Sequence, residues 1–348
     1  MKFNPELMTM KNGDPVTKDN WSERRKELVD ILSAEEYGYL PPVYGKTAFT
    51  VQQGTDTHCA GHAKCEKITA TFPTEKGDFS FDFHLVTPIT PGKHPLVVLM
   101  NFGDYIYGKY LPTEEIVDEG FAVAKIYYED ITADNDDMTD KLAGMYTRPA
   151  DGTGYGKISL WAFAMSRALD CIIDRDDIDK TKIAALGHSR LGKTALWCGA
   201  NDERFTYVFS NDSGCGGAAY ERTKHENAET IAHMNRVFPF WFCENRQKYA
   251  GHEDEMPFDQ HFLLAASAPR HVHVASADAD LWADPYSEQL CALAASPAFE
   301  LNGEKCDIPE TPAAAGDVFK KGSVTYHLRE GRHYLSRHDW KVYMEIMK

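Results

Sequence analysis

From residue 94 onward the chain alternates between two textures, and this alternation limits the fold more than any other feature. HPLVVLMNFG, FAVAKIYYED, KIAALGHS, FTYVFSND, APRHVHVASAD and SVTYHLREGRH are apolar runs of strand length. Between them stand TEEIVDEG, ISLWAFAMSRALDCIID, LGKTALWCGAN, DPYSEQLCALAAS and SRHDWKVYMEIMK, with apolar residues at helical spacing. A strand without polar alternation must be covered on both faces, and the helices between parallel strands provide the cover. The pattern therefore predicts an α/β fold with a mostly parallel central sheet. Residues 1–90 read differently. A helix is expected over 20–38, PPVYGK breaks it, and TAFTVQQ, KITATFP and FSFDFHLVTP alternate as antiparallel hairpins do. With no repeat, low-complexity tract or linker, the 348 residues read as one domain. Its parts are an antiparallel extension over 1–90 and a core over 91–348, with an insertion near 214–268.

The charge narrows the partners. Against 37 basic residues the chain carries 53 acidic ones, a formal net of -16. Such an excess repels phosphate backbones and anionic lipids, so neither nucleic acid nor a membrane surface is expected as a partner. No apolar run reaches the length of a membrane span, and MKFNPELMTMKNGDP lacks a signal-peptide core. The expectation is a cytoplasmic protein, with secretion after removal of a leader as the alternative. Cys59 and Cys65 in TDTHCAGHAKCEK are close enough to bridge, but Cys-x-x-His-x-x-Cys fits no standard zinc finger. A metal-free loop or hairpin is expected there.

The stretch AALGHSRLGKTALW supports two chemistries. Gly187 to Thr194 matches Gly-x-x-x-x-Gly-Lys-Thr, a phosphate-binding loop. The same residues place Ser189 between a strand and a helix, as in the nucleophile elbow of an esterase. Two buried strands precede the motif, no glycine lies inside it, and no clean apolar run ending in Asp follows. These features disfavour the nucleotide reading. The elbow makes a further demand, because a serine hydroxyl is a poor nucleophile without a base. It needs an acid and then a histidine at the ends of later strands. HVHVASA runs into Asp278 and Asp280; SVTYHL runs into REGRH and His333; FTYVFSND supplies a second carboxylate, Asp212. His338 falls within the last helical pattern.

GHSRLGKTALW, SNDSGCGGAA, FPFWFCEN, PFDQHFLLAASAPR, ADLWADP and GRH, in this order, resemble carbohydrate esterase family 15, the glucuronoyl esterases. The likeness is to the bacterial, acetylxylan-esterase-like branch and runs from about residue 90 to the end. It implies an α/β-hydrolase that cleaves esters between xylan glucuronic acid and lignin alcohols, without metal or organic cofactor. In the matching positions Ser189 would be the nucleophile and His333 the base, with Asp280 or Asp212 as the acid. Arg190 would stabilise the oxyanion through its N–H and guanidinium, Lys193 would contact sugar hydroxyls, and Trp282 would line the uronate pocket. Glu229 is the further substrate-binding candidate, from the insertion. His188 stands where fungal members have cysteine, and FGDYIYG lacks the histidine of bacterial relatives. The expected activity is hydrolysis of 4-O-methyl-glucuronoyl or related uronate esters of hemicellulose through an acyl-enzyme. The alternatives are an acetylxylan or other small acyl esterase, a P-loop nucleotide hydrolase, and a carbohydrate-binding pseudoenzyme.

Overall fold

A computed structural model describes residues 3–54, 58–105, 110–222 and 224–348. Ten strands form one sheet: β1 (Ala48–Gln53), β2 (Ala63–Thr74), β3 (Gly77–Pro88), β4 (His94–Asn101), β5 (Ala122–Tyr127), β6 (Ile178–His188), β7 (Tyr207–Asn211), β8 (His271–Ala277), β9 (Val318–Phe319) and β10 (Val324–Arg329). Their spatial order is β1-β2-β3-β5-β4-β6-β7-β8-β10-β9. Strands β5, β4, β6, β7, β8 and β10 run parallel. The expected N-terminal hairpins, β1 to β3, join this block antiparallel through β5, and β9 pairs antiparallel at the far edge. The sheet is thus mixed, with a parallel centre.

The two-residue period of a strand divides the core. On β4, Leu96, Val98 and Met100 enter one apolar cluster while Val97 and Leu99 enter the other. The first cluster lies under α4 (Lys157–Ile172) and α5 (Arg190–Asn201), both buried along nearly their whole length. They are covered in turn by α1 (Trp21–Leu32) and by the insertion, which contributes α6 (Ile231–Val237) and α7 (Gln260–Ala265). Trp197 of α5 stacks on Tyr37 at 4.5 Å and donates to Ser159 Oγ of α4 at 2.9 Å. The opposite face is closed by α2 (Thr113–Asp118) and α9 (Arg337–Met347) through Ile116, Val117, Trp340, Tyr343 and Met347. The short α3 (Tyr128–Ile131) follows β5, and α8 (Pro285–Phe299) precedes β9.

Residues 55–57 of the TDTHCAGHAKCEK segment lie outside the described residues. Cys59 occupies a tight turn and Cys65 lies on β2; like the other six cysteines, both are free thiols. Among the described residues no metal-ligating group gathers there.

Because the central strands are parallel and adjacent, their carboxyl ends share one edge of the sheet. Strand β6 ends at His188, β7 at Asn211, β8 at Ala277 and β10 at Arg329. Ser189, Asp212, Asp280 and His333 follow these four ends, so residues up to 144 positions apart in sequence converge.

Candidate active site

Ser189 is the hinge between β6 and α5, at φ 59° and ψ -129°. Left-handed backbone of this kind is costly for a residue with a side chain. Packing holds it there. Its N–H donates to Asn211 O at 2.8 Å, and its carbonyl accepts from the N–H groups of Gly192 and Lys193 at 2.8 and 3.2 Å. The two glycines that suggested a phosphate loop are needed for this close approach. A Cβ on Gly187 would lie 1.9 Å from Leu191 O, and one on Gly192 would lie 3.0 Å from Ser213 Cβ.

His333 comes from the loop between β10 and α9. Its Nε2 lies 2.8 Å from Ser189 Oγ and its Nδ1 lies 2.6 Å from Asp280 Oδ2. Asp280 is buried, whereas 42% of the His333 side chain is exposed. Under this imidazole lies a second one, His188, with ring centroids 4.5 Å apart. Burial, and next the proximity of His333, push His188 down to about 3. It is therefore a neutral ring beside the site, tied through Nδ1 to Asn211 Oδ1 at 2.7 Å.

The two candidate acids occupy different positions. Asp280 holds the His333 bond. Asp212 sits on left-handed backbone at φ 43°, with Oδ2 accepting from Arg329 Nη2 at 3.1 Å and Oδ1 without a hydrogen-bond partner. Burial, and then the nearby Glu288, raise its carboxyl well above the usual range. Donor atoms of Asp212, Asp280 and His333 lie within 4.8 Å of one another, a grouping that could gather around a metal ion. A cation there would compete directly with the bond between His333 and Asp280.

Arg190 opens α5. As the first helical residue it has an N–H without an intrahelical acceptor. Its guanidinium pairs with Asp134 Oδ2 and lies over the Trp241 ring at 4.5 Å, while Trp241 Nε1 donates to Asp134 Oδ1 at 2.7 Å. Three turns of the chain thus fix one cation beside the serine. Lys193, Glu229 and Trp282 also meet. Lys193 Nζ donates to Ser213 O and lies 3.3 Å from Glu229 Oε2, and Trp282 Nε1 donates to Glu229 Oε1 at 3.3 Å. Trp282 is 45% exposed, and its ring meets that of His233 at nearly a right angle, with centroids 4.7 Å apart.

This geometry removes the P-loop alternative. Lys193 is buried and committed to Ser213 and Glu229, and Thr194 Oγ1 donates to Arg190 O at 3.0 Å inside its own helix. Neither points to a phosphate cradle. His338 lies on α9, as expected. Of the FGDYIYG loop, only Phe102 to Tyr105 fall within the described residues. Asp134 was not identified from the sequence. It stands among several acids in TADNDDMTD, and no local signal distinguishes it.

A strained serine between a strand and a helix, on a mostly parallel sheet with an acid and a histidine at later strand ends, defines an α/β-hydrolase. The family model described as glucuronyl esterase, fungi, matches residues 70–303. A carbohydrate esterase designated MZ0003, from an unknown prokaryotic organism, is 32% identical over 98% of this chain and 88% of its own length. The 4-O-methyl-glucuronoyl methylesterase of Hypocrea jecorina is 28% identical over 86% of this chain, which spans 62% of that fungal protein. A glucuronoyl esterase structure from Solibacter usitatus superposes with a TM-score of 0.90 at 31% identity, covering 100% of this chain and 97% of the other. The chain belongs to the glucuronoyl esterase family, carbohydrate esterase family 15, and so to the carboxylic ester hydrolases.

Proposed function

We propose that the protein hydrolyses esters of 4-O-methyl-glucuronic acid, or a closely related uronate, in fragments of hemicellulose through an acyl-enzyme on Ser189. The observation that carries this reading is the continuous chain of hydrogen bonds from Asp280 through His333 to Ser189 at the strained turn. In the first step His333 Nε2 takes the Ser189 proton as Oγ attacks the ester carbonyl. Asp280 fixes the tautomer of the ring and stabilises the imidazolium. The carbonyl oxygen becomes an oxyanion facing the Arg190 N–H and guanidinium. Losing one such donor costs about 2.7–4 kcal/mol. His333 then protonates the departing alcohol, and water, activated by the same ring, releases the uronic acid.

Lys193, Glu229 and Trp282 form the sugar-facing side. Lys193 and Glu229 are buried and paired behind the indole, so they meet a sugar hydroxyl only by exchanging part of that pairing for it, and the half-exposed indole provides an apolar platform for a pyranose face. Their connection through Glu229 is what supports grouping them in one subsite. Eight unpaired thiols fit a reducing compartment, and fractionation of native cells tests that placement.

Ser189→Ala is expected to lower hydrolysis of benzyl glucuronate by about 10³-fold or more while leaving the circular dichroism unchanged. Unchanged turnover would overturn the assignment. Methyl glucuronate, benzyl glucuronate and acetylated xylan, assayed side by side, separate the uronate reading from that of a small acyl esterase. Release of acetate as the dominant activity would favour the latter.

A further inference from the structure

His333 stands in the largely solvent-exposed stretch 330–334 of the seven-residue connection between β10 and α9. A short exposed loop has many conformations available, yet this one must hold an imidazole within hydrogen-bond distance of both Ser189 and Asp280. One buried side chain lies beneath it. Arg329, only 3% exposed at the end of β10, turns back under the loop and spends its donors on the loop's own carbonyls. Nη1 donates to Glu330 O at 3.1 Å, and Nη2 donates to Arg332 O at 3.0 Å and to Tyr334 O. The carbonyls immediately before and after His333 are therefore held by the same nitrogen.

The guanidinium is itself anchored. Its Nε meets both oxygens of Asp339 on α9, at 3.1 and 2.9 Å, and Nη2 also reaches Asp212 Oδ2 at 3.1 Å. The Tyr334 ring covers it at 4.3 Å. Gly331 leaves the room it needs, since a Cβ there would lie 2.8 Å from Nη1 on backbone at φ 122°.

We infer that Arg329 is a positioning residue for His333: a single planar guanidinium, held by Asp339 and Asp212, fixes the backbone on both sides of the histidine and thereby its alignment with Ser189. The inference rests on the serine-hydrolase reading above. A guanidinium offers five donors in a fixed fork, whereas an ammonium of the same charge cannot span these acceptors.

The test uses the intact protein, a fluorophosphonate that labels an activated serine, and the low-field proton resonance of His333 Nδ1–H. Arg329→Lys is expected to slow labelling of Ser189 by about 100-fold and to shift or broaden that resonance, at a temperature where the variant is folded. Asp339→Asn, which loosens the anchor and retains the guanidinium, is expected to give a smaller loss of the same kind and carries the test if the lysine variant does not fold. A merely structural role would lower the melting temperature and leave both readouts unchanged, and that result would overturn the inference. Failure of the wild-type protein to be labelled would instead overturn the serine-hydrolase reading.

Discussion

Asp134 lies outside the proposed catalytic chain yet orients a charge beside it. It pairs with Arg190 and accepts from Trp241, so it fixes a guanidinium beside the proposed oxyanion. Asp134→Ala is expected to reduce kcat by about 10- to 100-fold with a smaller change in KM, because the cation remains present but loses its direction. Steady-state assays of the two constants check this. That Ser189, Asp212, Asp280 and His333 lie just beyond strand ends was readable because each follows a recognisable strand. Which of Asp280 and Asp212 bonds to His333 was not readable, since both follow strand ends. It depends on a contact with Arg329, which lies 117 residues from Asp212 in the sequence. Glu288, buried beneath the same edge, is pushed up to about 7 by burial, and it accepts from Ser213 N, Gly214 N and Ser276 Oγ. Its folded value exceeds the ordinary 4.5, so its contribution is full below that pH and is lost as pH rises through 7. Glu288→Gln mimics the protonated form. Its stability relative to the wild type should improve between pH 5 and 8, by up to roughly 3 kcal/mol, measured by denaturant unfolding at each pH.

At the scale of the element, long periodic segments were legible and short ones were not. All the parallel strands and the helices α4, α5, α8 and α9 follow from their apolar spacing. The two-residue β9 and the four-residue α3 are too short to show a period, and they exist because Tyr326 and β5 provide neighbours to pair with or follow. The insertion was readable only as a mixture of helix and loop without bounds for either, because its structure is set by distant partners such as the buried pair Arg246 and Glu36. Helix α9 starts with a capping box in which Ser336 accepts from Asp339 N while Asp339 accepts from Ser336 N. Ser336→Ala should cost about 1 kcal/mol of stability, read as a shift of the denaturant midpoint at constant m-value.

At the scale of the whole molecule, the N-terminal extension is built into the core. Trp21 Nε1 donates to Ala268 O at 3.0 Å, Arg25 reaches Ala266 O and Ala200 O at 2.7 Å each, and Arg246 donates to Glu36 Oε1 at 3.0 Å. Removing residues 1–46 would expose buried Leu28, Leu32 and Tyr37 partners and leave the Arg246 cation without that carboxylate. The truncated chain is expected to lose its cooperative melt; a sharp transition like that of the full chain would show instead that residues 47–348 fold alone. Among the described residues no helix is long and apolar enough to cross a membrane. The exposure of His333 and Trp282 at the sheet edge has a consequence for traffic through the enzyme. A nucleophile laid on the surface can act on one branch of a polymer while the remainder stays in solvent, and the released alcohol departs without passing through the protein. Reactivity should therefore depend on the acid half of the ester and change little as the alcohol grows from methyl to a bulky aromatic.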